Sequence, residues 1–428
     1  MEQFIINGGS PLEGEVTISG AKNAVLPILA ATVLGSGKSV INNVPQLHDV
    51  KVMKEVLNNL GAKIKEDSEQ IMVDTSALDC CEIPESLMRK MRATVFLMGP
   101  LIARFGKVKI SQPGGCSIGS RPIDLHLKGL KALGVEFKQK HGALEGKVDK
   151  LVGAEIHLDF PSVGATENIM MAATKAEGET LIYNAAKEPE IIDLQNYLNR
   201  LGAKIRGAGT NVIKIKGNKE LSAVDYKVIP DRIEAGTFLV AAAITKGNIV
   251  IKDIIPEHIE ATVAKLTEAG IEMKIEDNQI EVIGKETWQG INIKTLPYPG
   301  LPTDMQAQLM TFLSLAEDTS IITENIFENR LSHADELQRM GAKIRIEGNT
   351  AIVNGVDKLY GTTVRATDLR AGAALVLAGL SAEGKTVIDN IYHIDRGYEH
   401  LEDKLVKLGA DIKRRSDLSD VDGSQMQT

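Results

Sequence analysis

Basic side chains recur at similar places along the chain, each next to the predicted start of a helix. They are Lys22, Arg92, Arg232 and Arg370 before the more apolar helices, and Arg121, Arg330 and Arg396 before the more polar ones. A helix N-terminus presents unpaired N–H groups and the positive end of its dipole, so added cations favour anion binding. Each could instead pair with a neighbouring acid. Because they recur in a chain of net charge −8, we expect a small, multiply charged anion between two domains.

A glycine-rich segment, residues 111–122, contains Cys116 and Arg121. Its glycines and prolines predict a long irregular loop. A thiol that is exposed next to a cation is reactive, so Cys116 is a candidate functional residue. The alternative is a small buried hydrophobe, which is what we expect for Cys80 and Cys81. The segment lacks the Gly-Lys-Ser/Thr ending of a P-loop.

Carboxylates form a third candidate set. Its members are Asp124, Glu188, Glu190, Asp231, Asp304 and Asp368. Asp304 begins a predicted helix and could be a plain N-cap, and Asp231 and Asp368 could orient the arginine that follows each of them. His126 and His393 could contact a ligand or be structural. No cluster has the spacing of metal ligands, so we expect no metal.

The elements that must position these side chains repeat along the chain. A Gly in a Leu-Gly-Ala-Lys-Ile-like pattern recurs about every 70 residues, at Gly61, Gly134, Gly202, Gly270, Gly341 and Gly409. Each ends an amphipathic helix and precedes a strand. Upstream of each lies a more apolar helix, predicted to be buried, over 24–34, 93–103, 168–175, 235–245, 305–315 and 371–380.

The repeat predicts an α/β protein of two domains, each with three units around shared buried helices. The first strand, predicted over residues 4–18, has no unit of its own and should complete the last one. We therefore predict one domain over 22–229, which carries the loop at 111–122. The other domain combines 1–21 with 230–428.

The composition limits the class of protein. The chain has 428 residues, of which 43% are hydrophobic and 25% charged, with a net charge of −8 and three cysteines. The acidic balance argues against nucleic acid or a membrane surface as a partner, and the few cysteines fit a reducing compartment. No signal peptide is recognisable, and the longest charge-free apolar stretch, 24–37, is too short to span a membrane. We expect a cytoplasmic protein.

Motifs along the whole chain resemble those of a known family. They are GAKNA (20–24), PGGCSIGSRPIDLH (113–126), SVGA (162–165), PDRIEAG (230–236), PTDMQAQ (302–308), FENR (327–330), ATDLR (366–370) and HIDRGY (393–398). Over residues 2–413 the chain resembles the UDP-N-acetylglucosamine 1-carboxyvinyltransferases of the EPSP synthase superfamily. The resemblance implies the enolpyruvyl transferase fold, a two-domain inside-out α/β barrel built from six βαβαββ repeats.

The resemblance also implies a reaction. The family transfers the enolpyruvyl group of phosphoenolpyruvate to the 3′-hydroxyl of UDP-N-acetylglucosamine and releases phosphate, which is the first committed step of peptidoglycan synthesis. Both substrates are small molecules. No cofactor, metal, nucleic acid or membrane is implied, and the sequence identifies no protein regulator.

The resemblance assigns roles to individual residues. Cys116 matches the family's general acid, which also forms a covalent adduct with phosphoenolpyruvate, and Asp304 matches the base. Lys22 and Arg396 complete the catalytic set. The phosphoenolpyruvate site would comprise Lys22, Asn23, Arg121, Arg330, Arg370 and Arg396. The UDP-sugar site would comprise Arg92, Arg121, Pro122, Ile123, Asp124, Leu125, Ser162, Val163, Gly164, Asp304 and Ile326.

Some positions depart from the family pattern and leave uridine or phosphate contacts open. Many relatives have lysines where this chain has Gln46 and His48, and some have a Lys where it has Phe160 and Pro161.

Two other functions are alternatives. One is a 3-phosphoshikimate 1-carboxyvinyltransferase-like enzyme of the same fold, which lacks the Cys-bearing loop. The other is a non-catalytic repeat scaffold, against which the clustered cations and the cysteine loop argue.

Overall fold

A computed structural model describes residues 2–67, 69–111, 118–119, 122–140, 142–218 and 220–416. These residues divide into two compact units. The central unit consists of residues 19–111 and 122–230. The terminal unit consists of residues 2–18, 118–119 and 231–416.

The strands are short and recur throughout the described residues. They are β1 (Glu2–Asn7), β2 (Glu13–Thr17), β3 (Lys38–Asn42), β4 (Lys63–Asp67), β5 (Gln70–Asp74), β6 (Lys107–Ser111), β7 (Glu136–Lys140), β8 (Ala143–Lys147), β9 (Glu155–His157), β10 (Glu179–Tyr183), β11 (Lys204–Arg206), β12 (Val212–Lys216), β13 (Asp225–Lys227), β14 (Asn248–Lys252), β15 (Glu272–Ile275), β16 (Gln279–Ile283), β17 (Ile293–Lys294), β18 (Thr319–Thr323), β19 (Lys343–Glu347), β20 (Thr350–Asn354), β21 (Thr363–Arg365), β22 (Lys385–Asp389) and β23 (Asp411–Ser416).

The helices are of two kinds, buried and partly exposed. They are α1 (Lys22–Ala31), α2 (His48–Asn59), α3 (Glu85–Lys90), α4 (Met98–Phe105), α5 (Asp124–Ala132), α6 (Val163–Ala173), α7 (Pro189–Arg200), α8 (Arg232–Ile244), α9 (Glu260–Glu268), α10 (Gln306–Leu313), α11 (Ala334–Arg339), α12 (Leu369–Ser381) and α13 (Leu401–Lys407). Short 3-10 turns include Arg92–Leu97, Thr303–Met305 and Ile391–Arg396. Within the described residues, no helix is both long and apolar enough to cross a bilayer.

The sheets follow one plan in both units. In the central unit the strand orders are β13-β3-β5-β4, β6-β8-β7 and β11-β12-β10-β9; in the terminal unit they are β15-β16-β14-β2, β17-β18-β20-β19 and β21-β22-β1-β23. An antiparallel hairpin supplies two strands of five of these six sheets, as β4 and β5 do, whereas in the sixth β1 lies between β22 and β23. The four-stranded sheets also contain a parallel pair, for example β13 with β3. This repetition is the α/β architecture predicted from the sequence.

The first strand predicted, over residues 4–18, is wrong in its extent. The segment forms two strands, and Gly9 between them has a φ of +92°, a backbone conformation that glycine adopts without strain. Strand β1 lies between β22 and β23, whereas β2 pairs in parallel with β14. The segment therefore contributes to two sheets of the terminal unit.

The prediction of buried helices is confirmed for both cores. Every residue of α8 from Ile233 to Ile244 is buried, as expected of a helix that is apolar on all sides. Two helices differ most from their predicted ranges. The segment 93–103 divides into a 3-10 turn and α4, and α6 begins five residues before the predicted 168, at Val163. Since the buried helices have little exposed surface, the polar residues of their first turns are held in fixed positions.

Candidate active site

Asp304 in the terminal unit lies between two arginines. Arg330 Nη2 donates to its Oδ1 and Arg370 Nη2 donates to its Oδ2, each at 2.9 Å. The Arg330 and Arg370 side chains are 4% and 2% exposed, whereas that of Asp304 is 26% exposed. The carboxylate is therefore held by two buried cations while part of it remains open to solvent. The alternative that Asp304 is a plain N-cap is wrong, because the turn has no side-chain cap.

Asp368 fixes the start of α12 and faces the same arginines. Its Oδ1 accepts from the backbone N–H of Arg370 at 2.8 Å and of Ala371 at 3.2 Å, as an N-cap does. The same oxygen lies 3.8 Å from Arg330 Nη1. Asp368 thus orients Arg370 through its backbone, as the sequence suggested.

Both guanidinium groups retain buried donors. Arg330 Nε, and Arg370 Nε and Nη1, have no hydrogen-bond partner among the described residues. Burial favours the neutral form of Arg370, but Asp304 and other neighbours raise its pKa overall, so the side chain is a cation. A buried, charged donor without an acceptor is costly. The arrangement is suited to binding an additional anionic group.

Residues that the sequence did not single out support this cluster. Fully buried His333 donates from Nδ1 to the carbonyl of Arg330 at 3.1 Å, and burial lowers its pKa to about 4. Glu324 accepts from Thr303 Oγ1 at 2.9 Å and from the N–H of Ile326 at 2.7 Å. Glu324 thereby joins the turn of Asp304 to the turn of Ile326. No repeat or motif marked either residue.

Arg396 lies at the end of the turn Ile391–Arg396. Its neighbour Asp395 is held by Arg414, whose Nη1 and Nη2 donate at 2.9 and 2.7 Å. A bidentate pair of this kind restricts the orientation of both side chains, so it fixes the turn that carries Arg396. His393 on the same turn is half-buried, and burial and Arg396 lower its pKa.

Lys22 in the central unit begins α1 and forms a buried ion pair. Its Nζ lies 2.8 Å from Asp49 Oδ2, and the two side chains are 10% and 2% exposed. Asn23 follows it on α1, and Arg92 begins the 3-10 turn before α4. The pair holds a cation at the start of a buried helix, where the sequence placed it.

Most of the residues predicted to bind a UDP-sugar in the central unit lie at two helix starts. Asp124 and Leu125 begin α5, preceded by Pro122 and Ile123, and Ser162 caps α6 ahead of Val163 and Gly164. His126 on α5 contacts residues of α6 and so links the two helix starts. Its Nδ1 accepts from Asn168 at 2.9 Å, and its Cε1 would lie 3.2 Å from a side-chain carbon added at Gly164. This contact favours the structural interpretation of His126.

Several other predicted residues have structural partners or lie outside the described residues. Asp231 caps α8 and accepts from the N–H of Ile233 and Glu234. Cys80 and Cys81 lie in the connection before α3 and are only partly buried, so neither is the fully buried residue expected, although Cys80 packs against the hydrophobic core. Cys116 and Arg121 lie outside the described residues. Among the described residues, no group of three or more His, Cys, Asp or Glu side chains is placed to hold a metal.

Comparison with known proteins gives a consistent result. Residues 6–405 match the family model of EPSP synthase (3-phosphoshikimate 1-carboxyvinyltransferase). UDP-N-acetylglucosamine 1-carboxyvinyltransferase 1 of Caldanaerobacter subterraneus subsp. tengcongensis is 54% identical, over 96% of this chain and 99% of that protein. The corresponding protein of Symbiobacterium thermophilum is 55% identical, over 96% and 95%.

Solved structures extend the likeness to the fold. The enolpyruvyl transferase NikO from Streptomyces tendae has a TM-score of 0.87 at 27% identity, over 96% of this chain and 98% of that chain. EPSP synthase from Acinetobacter baumannii has a TM-score of 0.75 at 19% identity, over 97% and 100%, which supports the fold alone. With the family model and the relatives, these findings establish that the chain belongs to the EPSP synthase family of enolpyruvyl transferases and, within it, to the UDP-N-acetylglucosamine 1-carboxyvinyltransferases.

Proposed function

We propose that the protein transfers the enolpyruvyl group of phosphoenolpyruvate to the 3′-hydroxyl of UDP-N-acetylglucosamine and releases phosphate. The observation that carries the proposal is the cluster of Asp304, Arg330 and Arg370, which joins a partly open carboxylate to buried guanidinium groups with donors to spare. Phosphoenolpyruvate is a small anion with a carboxylate and a phosphate, the groups that arginine binds best. The relatives' names supply the acceptor. The reaction would take place in the cytoplasm as the first committed step of peptidoglycan synthesis.

The proposed chemistry proceeds by addition and elimination. The sugar 3′-oxygen attacks C2 of phosphoenolpyruvate and loses its proton to Asp304, while C3 gains a proton from Cys116. The adduct then loses a proton from C3 and expels phosphate from C2, which restores the double bond. Negative charge develops on the phosphate as its bond to C2 breaks, so fixed cations would stabilise the transition state.

The structure supports particular roles for the cations. Arg330 and Arg370 would bind phosphoenolpyruvate, and Arg396, on a turn fixed by Arg414, would join them. In the central unit, Asp49 pairs with Lys22 and orients its ammonium group. By resemblance, Lys22 and Asn23 would also bind phosphoenolpyruvate. Arg121 completes this set by resemblance.

The UDP-sugar would bind at the starts of α5 and α6. Helix N-termini suit phosphate groups because they offer free N–H groups and a favourable dipole. Asp124, Ser162 and Gly164 lie there, while Asp304 and Ile326 of the terminal unit would contact the sugar nucleotide by resemblance. Arg92, Pro122, Ile123, Leu125 and Val163 complete the proposed set.

An acceptor comparison tests the proposal. Phosphate release from phosphoenolpyruvate is measured with UDP-N-acetylglucosamine and, in parallel, with shikimate 3-phosphate. We expect release only with the sugar nucleotide. Release with shikimate 3-phosphate alone would favour the other enolpyruvyl transferase, and release with neither would favour a non-catalytic scaffold.

A labelling experiment tests the proposed acid. The epoxide fosfomycin, which alkylates the cysteine of the family, should label Cys116 and not Cys80 or Cys81. Cys116→Ser should lose most turnover because a hydroxyl is a much weaker acid, whereas Cys116→Asp should retain activity and resist fosfomycin. Label on Cys80 or Cys81, or a Ser variant of near wild-type rate, would refute the assignment.

A further inference from the structure

The hydroxyl of Tyr398 lies where buried helices of the terminal unit meet. It is 2.9 Å from Thr237 Oγ1 on α8 and 3.1 Å from Gln308 Nε2 on α10. Gln308 Nε2 also lies 3.1 Å from Thr237 Oγ1. All three side chains are at most 2% exposed. We call these three residues the hydroxyl cluster.

The donors in the hydroxyl cluster can be assigned from its neighbours. Thr237 Oγ1 donates its single proton to the carbonyl of Ile233 at 2.8 Å. Tyr398 must therefore donate to Thr237, and the Gln308 amide, which has only donors on its nitrogen, donates to both oxygens. In this arrangement each hydroxyl both donates and accepts a hydrogen bond, so the cluster holds the Tyr398 ring in place.

The ring of Tyr398 in turn lies against Arg370. The guanidinium carbon of Arg370 is 5.3 Å from the ring centroid, within the range of a cation–π contact. The other end of the same guanidinium donates to Asp304 Oδ2 at 2.9 Å. Arg370 is therefore held between an aromatic face and a carboxylate, while its Nε and Nη1 have no partner among the described residues.

We propose that Tyr398, Thr237 and Gln308 are positioning residues, which set the angle at which Arg370 presents its free donors to the anionic substrate. The proposal rests on the proposed function. Gln308 Oε1 has no hydrogen-bond partner among the described residues, so the amide is fixed only through its nitrogen. Loss of the Tyr398 hydroxyl would loosen the ring and the amide together, and the direction of the Arg370 donors would no longer be fixed.

The variant Tyr398→Phe tests this, because it keeps the ring and removes only the hydroxyl. We expect KM for phosphoenolpyruvate to rise about tenfold, because the variant loses a hydrogen bond that holds the ring against the charged Arg370 side chain. KM for UDP-N-acetylglucosamine should stay within about twofold, since Arg370 is assigned to the other substrate. A merely structural role would instead lower the folded fraction and leave both KM values unchanged.

Tyr226→Phe is the matched control. Tyr226 is a buried tyrosine of the central unit whose hydroxyl donates to Asp193, and no arginine of the candidate site depends on it. It should lower stability without a change in either KM. Thr237→Val removes the cluster's acceptor with little change in shape, and combined with Tyr398→Phe it should raise KM no further than one change alone, because the residues act as a unit.

Unchanged KM for phosphoenolpyruvate in folded Tyr398→Phe, or equal increases in both KM values, would overturn the inference. If Tyr398→Phe does not fold, Thr237→Val decides by the same criterion. If the wild type releases no phosphate with either acceptor, the proposed function fails, and calorimetric binding of phosphoenolpyruvate replaces KM. The inference survives in that case only if the wild type binds and Tyr398→Phe binds about tenfold more weakly.

Discussion

The two units share a repeated backbone but bury different charges at the starts of their helices. The terminal unit buries arginines and joins them through Asp304 and Asp368. The central unit pairs Lys22 with Asp49 but also buries acids. The comparison teaches that the fold tolerates either sign of charge at the starts of its buried helices, so the side chains and not the backbone determine the local charge.

Two buried acids of the central unit have raised pKa values. Burial raises the pKa of fully buried Glu167 well above its ordinary value, and Glu190 and Glu188 add to the effect. Neither oxygen of Glu167 has a hydrogen-bond partner among the described residues. Burial also raises the pKa of Asp193 to about 6, although Tyr226 and the N–H of Ile229 oppose the shift. Both groups hold a proton more tightly than an exposed acid does, and neither is a cation that could attract an anion.

The largest expected effect is a loss of activity when a buried arginine of the terminal unit is replaced. Arg370→Gln should lower kcat/KM at least about 1000-fold, because it removes a buried cation from the proposed phosphoenolpyruvate site and leaves Asp304 with one arginine fewer. Arg345→Gln changes an exposed arginine of the same unit and should have wild-type kinetics. Steady-state phosphate release measures both. A folded Arg370→Gln protein with wild-type kcat/KM would break the comparison.

The next effect concerns the buried ion pair of the central unit. Asp49→Asn should lower the free energy of unfolding by about 4 kcal/mol, because it leaves the Lys22 cation buried beside a neutral partner. Glu281→Gln, at an exposed pair with Lys274, should have no measurable effect. Urea unfolding followed by circular dichroism compares them. Equal stability of the two variants would show that the burial of the Lys22 pair has no energetic consequence.

A pH titration sharpens the comparison for Asp193. Its folded pKa is raised from 3.8 to about 6, so the folded protein binds the proton more tightly than the unfolded chain. The stabilisation is complete below about pH 4 and is lost as pH rises through 6, a change of roughly 3 kcal/mol. The protection of backbone amides against hydrogen exchange should decrease over the same pH range in peptides from α7 and β13.

Asp193→Asn should remove that pH dependence, and Asp225→Asn, an exposed site on β13, should leave it intact. A wild-type protein whose α7 peptides become more protected between pH 4 and 6 would contradict the sign.

The smallest effect is expected at Glu167. Glu167→Gln replaces a buried carboxyl by a neutral group of similar shape, so stability near pH 4, where the carboxyl is largely protonated in both states, should change by less than about 1 kcal/mol. As pH rises above the ordinary glutamate pKa of 4.5, the wild type should become less stable relative to the variant, because the unfolded chain releases a proton that the folded protein retains. Thermal unfolding of both proteins between pH 4 and 8 measures the difference. A variant that loses stability faster with pH would refute it.

The repeat was predictable because it leaves a local signal. Each of the recurring glycines that end the amphipathic helices has a φ between +95° and +109°, a conformation that glycine favours. The division of the N-terminal segment into β1 and β2 was not predictable in this way. Alternating side chains look the same in one long strand as in two, and the partners of β1 and β2 are far away in sequence.

The sequence identified most residues of the site, but not the contacts between them. Motifs placed Asp304, Arg330 and Arg370 among the candidates, yet only tertiary packing joins residues 26 and 66 positions apart through one carboxylate. His333, Glu324 and Thr237 were missed because a single polar residue in an apolar helix or a turn carries no spacing signal. Gln308 and Tyr398 end two of the quoted motifs, but nothing in the sequence shows that their side chains meet. Glu167 was missed because the predicted helix began one residue after it.

Mass spectrometry of the sugar nucleotide tests the central claim most directly. The protein is incubated with phosphoenolpyruvate and UDP-N-acetylglucosamine, and the nucleotide's mass and the released phosphate are followed together. We predict that the nucleotide gains one enolpyruvyl group for each phosphate released, and that Arg370→Gln abolishes both while Tyr226→Phe abolishes neither. Phosphate release without a change in the nucleotide's mass, or full transfer by Arg370→Gln, would contradict the account.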